Sequence, residues 1–279
     1  MLILQAERDA LLKPLQAVTG IVERRHTLPI LSNVLLENVH GQTNILATDL
    51  EIQINTAGPE SDAGDFRITT NAKKLQDILR ALPDGSLVAL DWAQNRLTLK
   101  AGKSRFNLQT LPAEDFPLMS VGETVGQAFS LPQEALKNML SQVQYSMAVQ
   151  DIRYYLNGML MQTEGDQLRL VATDGHRLAY SGTTIDADLP KAEVILPRKT
   201  VLELFKLLNH PSEPVTVELL ENQVRFRCNE TVIVSKVVDG KFPDFNRVIP
   251  LDNDKIFLVG RTQLLGALER AAILANEKF

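Results

Sequence analysis

LATDLE, residues Leu46–Glu51, and VATDGHRL, residues Val171–Leu178, spell Ala-Thr-Asp twice, each time closing an apolar run, with the two aspartates 125 residues apart. A three-residue match is cheap, so its weight depends on whether the same offset recurs along the chain. It does. Lys73-Lys74, opening KKLQDILRAL, precede Arg198-Lys199, opening RKTVLELFKLL, by 125 residues, and Leu79 and Leu82 fall on Leu204 and Leu207. Ala10, Leu11, Leu15 and Val18 fall on Ala135, Leu136, Leu140 and Val143, while Phe116-Pro117 answers Phe242-Pro243 at an offset of 126. Landmarks in one order at one spacing read as two copies of a module of about 125 residues, an ordinary domain size. The boundaries expected are 1–126 for the first module, 127–254 for the second, and 255–279 for the start of a third.

Two patterns alternate within each copy. Apolar residues at helical spacing predict helices over 7–18, 71–82, 132–144 and 197–208. Strand-like runs lie between them: NVLLENV, TNILATDLEIQINTA, SLVALDW, RLTLKAG and SRFNLQT in the first copy, then GMLMQTE, QLRLVATD, PVTVELL, QVRFRCN and VIVSKVV in the second. Pro83-Asp84-Gly85, Gly165-Asp166 and Glu221-Asn222 supply turns. The fold class expected is α+β, with two helices per module lying on antiparallel sheet.

With 279 residues, 44% of them hydrophobic, the chain can bury two ordinary cores, and no run of 18 apolar residues suggests a membrane span. The N-terminus has no basic stretch or small-residue cleavage site of an export signal. One cysteine, Cys228, cannot close an internal disulfide and reads as a small apolar residue of a strand, which fits a reducing cytoplasm.

Charge distribution says more than the net charge of −5. From His26 through Phe66 there is no Lys or Arg but six acids. By contrast, Arg24-Arg25, Lys73-Lys74 and Arg198-Lys199 sit just after helical stretches or at their starts. Cations at a helix start oppose the macrodipole at about 0.3–1 kcal/mol each, so something besides helix stability placed them there.

Some motifs dissolve on inspection. Gly102-Lys103-Ser104 lacks the glycine five positions earlier that a phosphate loop needs, since Leu97 stands there, and it reads as a hairpin turn. No nucleophile elbow and no His-x-x-x-His or Cys-x-x-Cys pair is present. Asp174 and His176 leave two alternatives open from the residues alone: a hydrolase using that pair, or a protein-binding scaffold without DNA binding.

Along its whole length the sequence resembles the bacterial sliding clamps, the β subunits of DNA polymerase III. The stretches that carry the resemblance are LLKPLQAV, TLPILSNVLLE, ATDLE, SRFNLQTLPAEDFP, QDIRYYLNGML, VATDGHRLA, VDGKFPDFNRVIP and RAAILANEKF. The resemblance implies a DNA clamp fold, with helices facing a central hole around double-stranded DNA, no catalytic residues, no cofactor and no metal. It implies DNA contacts at Arg25, Lys73, Gln150, Tyr154 and Tyr155. Arg24, Lys74, Arg198 and Lys199 are candidates on charge and position. A clamp that slides must read phosphates rather than base edges, so the lack of a recognition motif agrees with it.

A second site is implied by the same resemblance: a groove receiving short peptides of DNA polymerase III alpha, other polymerases, the clamp loader and repair proteins. Its positions are Leu156, Thr173, Gly175, His176, Arg177 and Leu178, joined by Pro243, Arg247 and Val248. Self-association as a head-to-tail homodimer is implied too, with Phe106 on one side and Ile273 and Leu274 on the other. RTQLLGALERAAIL, from Arg261, repeats a module's first helix, with Leu264 and Leu268 falling 128 residues after Leu136 and Leu140. The expectation is a clamp cut short in its third module, with a last helix that is exposed, frayed or packed on a neighbour, no closed ring and an incomplete groove.

Overall fold

The computed structural model describes residues 1–23, 28–122 and 126–275. Packing divides the chain into two compact units, Met1–Phe242 and Pro243–Phe279. In the first unit, the first repeat runs β1 (Leu2–Glu7), α1 (Arg8–Thr19), β2 (Asn33–Val39), β3 (Gln42–Thr48), β4 (Ile52–Ala57), β5 (Phe66–Asn71), α2 (Ala72–Ala81), β6 (Leu87–Ala93), β7 (Arg96–Ala101) and β8 (Ser104–Gln109). The second repeat runs β9 (Gln127–Pro132), α3 (Gln133–Val143), β10 (Gly158–Thr173), β11 (Leu178–Pro197), α4 (Arg198–Leu207), β12 (Pro214–Leu219), β13 (Gln223–Cys228) and β14 (Thr231–Lys236). The architecture is α+β on antiparallel sheet, as the alternating periods require.

Each helix forms where one apolar stripe recurs at three- and four-residue spacing. α1 buries Leu11, Leu12, Leu15 and Val18, and α3 buries Leu136, Met139, Leu140 and Val143 at equivalent positions. α2 is capped by Asn71, whose side chain accepts from the Lys74 backbone N–H at 2.9 Å. Lys73 and Lys74 therefore stand in the first turn of that helix, while Leu75 and Leu79 go inward.

The strands form three antiparallel sets: a four-stranded sheet ordered β1-β6-β7-β8, the β10-β11 hairpin, and an eight-stranded sheet ordered β5-β2-β3-β4-β14-β13-β12-β9. The last crosses the boundary between repeats. β4 of the first pairs with β14 of the second, Ile54 opposite Ile233, and the Thr56 and Thr231 hydroxyls hydrogen-bond at 2.8 Å. Burying side chains such as Ile54 and Ile233 contributes about 1.5–3 kcal/mol each, so this seam is an apolar core as well as a ladder. One hydrophobic cluster accordingly runs from Ile3 to Ile233.

Cys228 lies buried on β13, and burial alone pushes its thiol up to about 12, so it packs as an inert small side chain. Among the described residues, no helix is long and apolar enough to cross a membrane. In the second unit, α5 (Arg261–Ala272) has no buried residue, and Ile256, Phe257 and Leu258 before it are exposed.

Candidate functional site

Three features of the first unit carry the candidate residues: the cationic helix starts, the loop from Met147 to Asn157, and the turn that contains the second Ala-Thr-Asp. Lys73 and Lys74 are exposed, and Lys73 Nζ donates to Gln76 Oε1 at 3.2 Å. Gln76 is itself held by Thr19 at 2.7 Å, which fixes the platform under the lysine. Neither lysine has a carboxylate partner among the described residues. Arg24 and Arg25 lie outside the described residues.

The equivalent pair on α4 behaves differently. Arg198 Nη1 donates to the Met147 carbonyl at 3.3 Å and is half-buried. Lys199 turns its ammonium onto its own chain: it donates to the Ile21 carbonyl at 2.9 Å and to Glu23 at 3.1 Å, and it pairs with Asp49. Burial opposes the lysine's charge, but the Asp49 and Glu23 carboxylates outweigh it and raise its pKa. Lys199 thus fastens the second repeat to the first rather than presenting a free cation. Glu203, one turn on, closes against the end of α1 so tightly that a Cβ at Gly20 would collide with its carboxylate.

Between these helices lies a cleft of about 1120 Å³. Lys13, Lys73, Arg80, Lys206 and His210 line it, against Glu203 and Glu230. Lys206 answers Glu203 at 2.7 Å, which leaves Lys13, Lys73 and Arg80 without a carboxylate partner among the described residues. The sequence reading missed Lys13 and Arg80. Their only signal is helical phase, since each occupies a polar position of an amphipathic helix whose other face is core.

The loop carries Gln150, exposed and left-handed at φ 56°, and the two tyrosines. Tyr154 is exposed and Tyr155 half-buried, their rings edge-to-face with centroids 5.8 Å apart. Asp151 organises the loop: its Oδ1 accepts from Arg153 N and Nε at 2.8 and 2.9 Å, and its Oδ2 from Arg153 Nη2 at 2.8 Å. The Arg153 fork holds the Asp151 carboxyl down at about 2. Leu156, expected to line the groove, is buried at the loop's end.

The turn is built by side chains. Thr173 Oγ1 donates to the Arg177 carbonyl at 2.7 Å and accepts from Gly175 N at 3.1 Å. Asp174 Oδ1 accepts from His176 N at 2.9 Å and Arg177 N at 3.0 Å, and Oδ2 accepts from Arg177 Nε at 3.0 Å. Burial raises the Asp174 pKa, but those backbone N–H groups and the Arg177 charge outweigh it and hold it low. This carboxylate shapes a turn, so it does not act on the His176 ring as a base pair would. Gly175 takes φ 87°, and a Cβ there would stand 2.9 Å from Arg153 Nη1. Arg177 lies over the Tyr145 ring, 5.7 Å from its centroid. Arg153 and Tyr145 were also missed: nothing local in RYYL or QYS marks a residue whose partner lies 21 or 32 positions away.

Thr173, Gly175, His176, Arg177 and Leu178 therefore stand together, tied to the loop by Arg153 Nη2 donating to the Asp174 carbonyl at 3.2 Å. Pro243, Arg247 and Val248 belong to the second unit. There Arg247 pairs with Asp244 at 3.0 Å, and Val248 is exposed. Phe106 is half-exposed on β8, an edge strand; Ile273 and Leu274 are exposed in the second unit. No cluster of metal-ligating side chains occurs among the described residues.

Two family descriptions match successive parts of the chain: DNA polymerase III beta subunit, N-terminal domain, over residues 2–120, and central domain over residues 130–244. The chain is 46% identical over 277 residues to the beta sliding clamp of Pseudomonas aeruginosa and 45% identical over 274 to that of Salmonella typhimurium. Each alignment covers 98% of this chain and 75% of the relative. Among solved structures, the P. aeruginosa sliding clamp bound to griselimycin superposes with a TM-score of 0.93 at 44% identity, covering 100% of this chain and 76% of that one. Caulobacter crescentus pol III beta superposes with a TM-score of 0.90 at 38% identity, covering 99% and 76%.

Proposed function

Because the chain belongs to the DNA polymerase III beta subunit family, the beta sliding clamps, we propose that its helix faces hold duplex DNA while its 173–178 turn receives partner peptides. It is a replication clamp, a processivity subunit and not an enzyme. The observation that carries the reading is the match of both repeats, in order, to successive domains of one clamp subunit.

On this reading the DNA contacts are Lys73, Lys74, Gln150, Tyr154 and Tyr155, with Arg24, Arg25 and Arg198. Cations without carboxylate partners neutralise phosphates without reading sequence, and the exposed Tyr154 ring offers a face for stacking on an unpaired base. Lys13 and Arg80 join the set because they share the cleft with Lys73. Lys199 leaves it, because its charge is already answered within the chain.

On this reading the peptide-binding positions of the first unit are Leu156 and the 173–178 turn, where an apolar residue beside Arg177 suits a short peptide of apolar residues, and Pro243, Arg247 and Val248 of the second unit are proposed for the same role. Its partners are DNA polymerase III alpha, other polymerases, the clamp loader and repair proteins, in the cytoplasm. A second copy meets the chain head-to-tail through Phe106 and through Ile273 and Leu274, and the repeats correspond to modules 1–126 and 127–254.

Salt dependence supplies the test. Arg25→Ala combined with Lys73→Ala is expected to weaken association with duplex DNA and to flatten its salt dependence. An unchanged salt slope would refute these contacts.

A further inference from the structure

The Met147–Asn157 loop holds candidates for both proposed binding functions, and one carboxylate fixes its shape. Besides gripping Arg153, Asp151 is clamped through its backbone by Asn157: Asp151 N donates to Asn157 Oδ1 at 2.9 Å, and Asn157 Nδ2 donates to the Asp151 carbonyl at 2.8 Å. Gln150, immediately before, is thereby kept in its left-handed conformation. Tyr154 and Leu156, three and five residues on from Asp151, form one short helical turn with Tyr155, closed by Leu156 N donating to the Arg153 carbonyl at 2.8 Å.

The far side of the Arg153 guanidinium rests on the other site. Nη2 donates to the Asp174 carbonyl at 3.2 Å, and the group lies against Gly175 with no room for a Cβ between them. A planar fork held at two points by Asp151 cannot rotate freely, so its position against the turn depends on that carboxylate. The contacts form one unbroken path from the Gln150–Tyr154 segment through Asp151 and Arg153 to the Asp174–Arg177 turn.

We propose that Asp151 is a positioning residue that couples the DNA-facing loop to the peptide-facing turn, so that occupancy of one changes affinity at the other. The inference rests on the proposed clamp reading for what binds, but not for the linkage itself. A contiguous path is a reason to look for coupling, and coupling, where present, is reciprocal.

The experiment has two arms. In the first, amide exchange is compared between the protein and Asp151→Asn. The Gly175, His176 and Arg177 amides are expected to exchange about tenfold faster in the variant, because their turn opens locally. The Leu50, Glu51 and Ile52 amides, in the matching turn of the first repeat, are expected to be unchanged. Arg153→Lys, which keeps the charge and loses the fork, should give the same pattern, and the double variant should be no worse than either single. Unaltered exchange at 175–177, or equal acceleration of both turns, would overturn the proposal.

In the second arm, a labelled primed duplex and a fluorescein-labelled decapeptide with a Leu/Phe core are titrated separately and together. Each is expected to change the other's Kd by about fivefold or more in the unaltered protein and by nothing in Asp151→Asn, fivefold being the low end of ordinary coupling. Coupling that survives the substitution would also overturn the proposal. Absence of binding by either probe to the unaltered protein would count against the clamp reading, and the exchange arm would still decide the role of Asp151.

Discussion

The turns at Thr48–Ile52 and Thr173–Arg177 are built alike and serve opposite ends. In both, the threonine hydroxyl donates to a carbonyl four residues on, and the aspartate accepts from the next two available backbone N–H groups. Both need a left-handed residue after the aspartate, and there they part. The first repeat uses Leu50 at φ 79°, whose side chain packs onto Ile30, Leu31, Leu35, Leu46, Ala113 and Phe116. The second uses Gly175, which leaves the turn bare except for Arg153. Asp49 is nearly buried, with its remaining oxygen given to Lys199 of the other repeat, whereas Asp174 closes locally on exposed Arg177. One hairpin design thus became a fastener in one place and an open surface in the other.

The sharpest way to break this contrast is to remove the aspartates. Asp49→Ala is expected to destabilise by about 2–3 kcal/mol in urea unfolding, below the usual figure for a fully buried pair because Lys199 is a third exposed. Asp174→Ala should lose only about 1 kcal/mol, as exposed pairs and turn caps do. Equal losses would mean that the first turn is no fastener.

Exchanging the left-handed residues comes next. Gly175→Leu forces a branched side chain to φ 87° and into Arg153, so a loss of about 1–3 kcal/mol is expected, together with loss of labelled-peptide binding. Leu50→Gly relieves about 1 kcal/mol of strain but gives up half-buried contacts and loosens the unfolded chain, for a net loss of about 1 kcal/mol in the same assay.

The smallest effect is in pH. Asp151 and Asp174 have folded pKa values below their unfolded ones, so their contribution is present above about pH 4 and fades as pH falls, for Asp151 through about 2. Lys199 is raised, so its contribution is complete below about pH 10.4 and fades as pH climbs through its folded value. The second turn should therefore loosen in acid and the first in alkali. Lys199→Met should remove the alkaline part of the urea-midpoint profile, and an unchanged profile would contradict the assignment.

Helices were the most legible part of the fold. The stretches 7–18, 71–82, 132–144 and 197–208 became Arg8–Thr19, Ala72–Ala81, Gln133–Val143 and Arg198–Leu207, because an apolar stripe over ten or more residues has few other uses. β11 was missed although it is 20 residues long: only five of its positions are buried, and Pro190 and several acids interrupt the pattern. β1, β5 and β9 were missed as well, being short runs beside strong helices. The run TNILATDLEIQINTA read as one strand and is two, since nothing announces that a leucine will take the left-handed place at 50. At the site, cationic helix starts were visible from charge and phase. The engagement of Lys199 was not, because its partner Asp49 lies 150 residues away.

The seam between β4 and β14 has a consequence for how the halves could exist apart. Cutting the chain between the repeats would strip β4 of its neighbour along Ile52–Thr56 and β14 along Thr231–Ser235, exposing two unpaired edges that carry Ile52, Ile54, Ile233 and Val234. Such edges recruit any extended chain within reach, so a half expressed alone is expected to aggregate or to pair with copies of itself. The two repeats share one sheet and one apolar cluster, so each supplies the strand that finishes the other's open side.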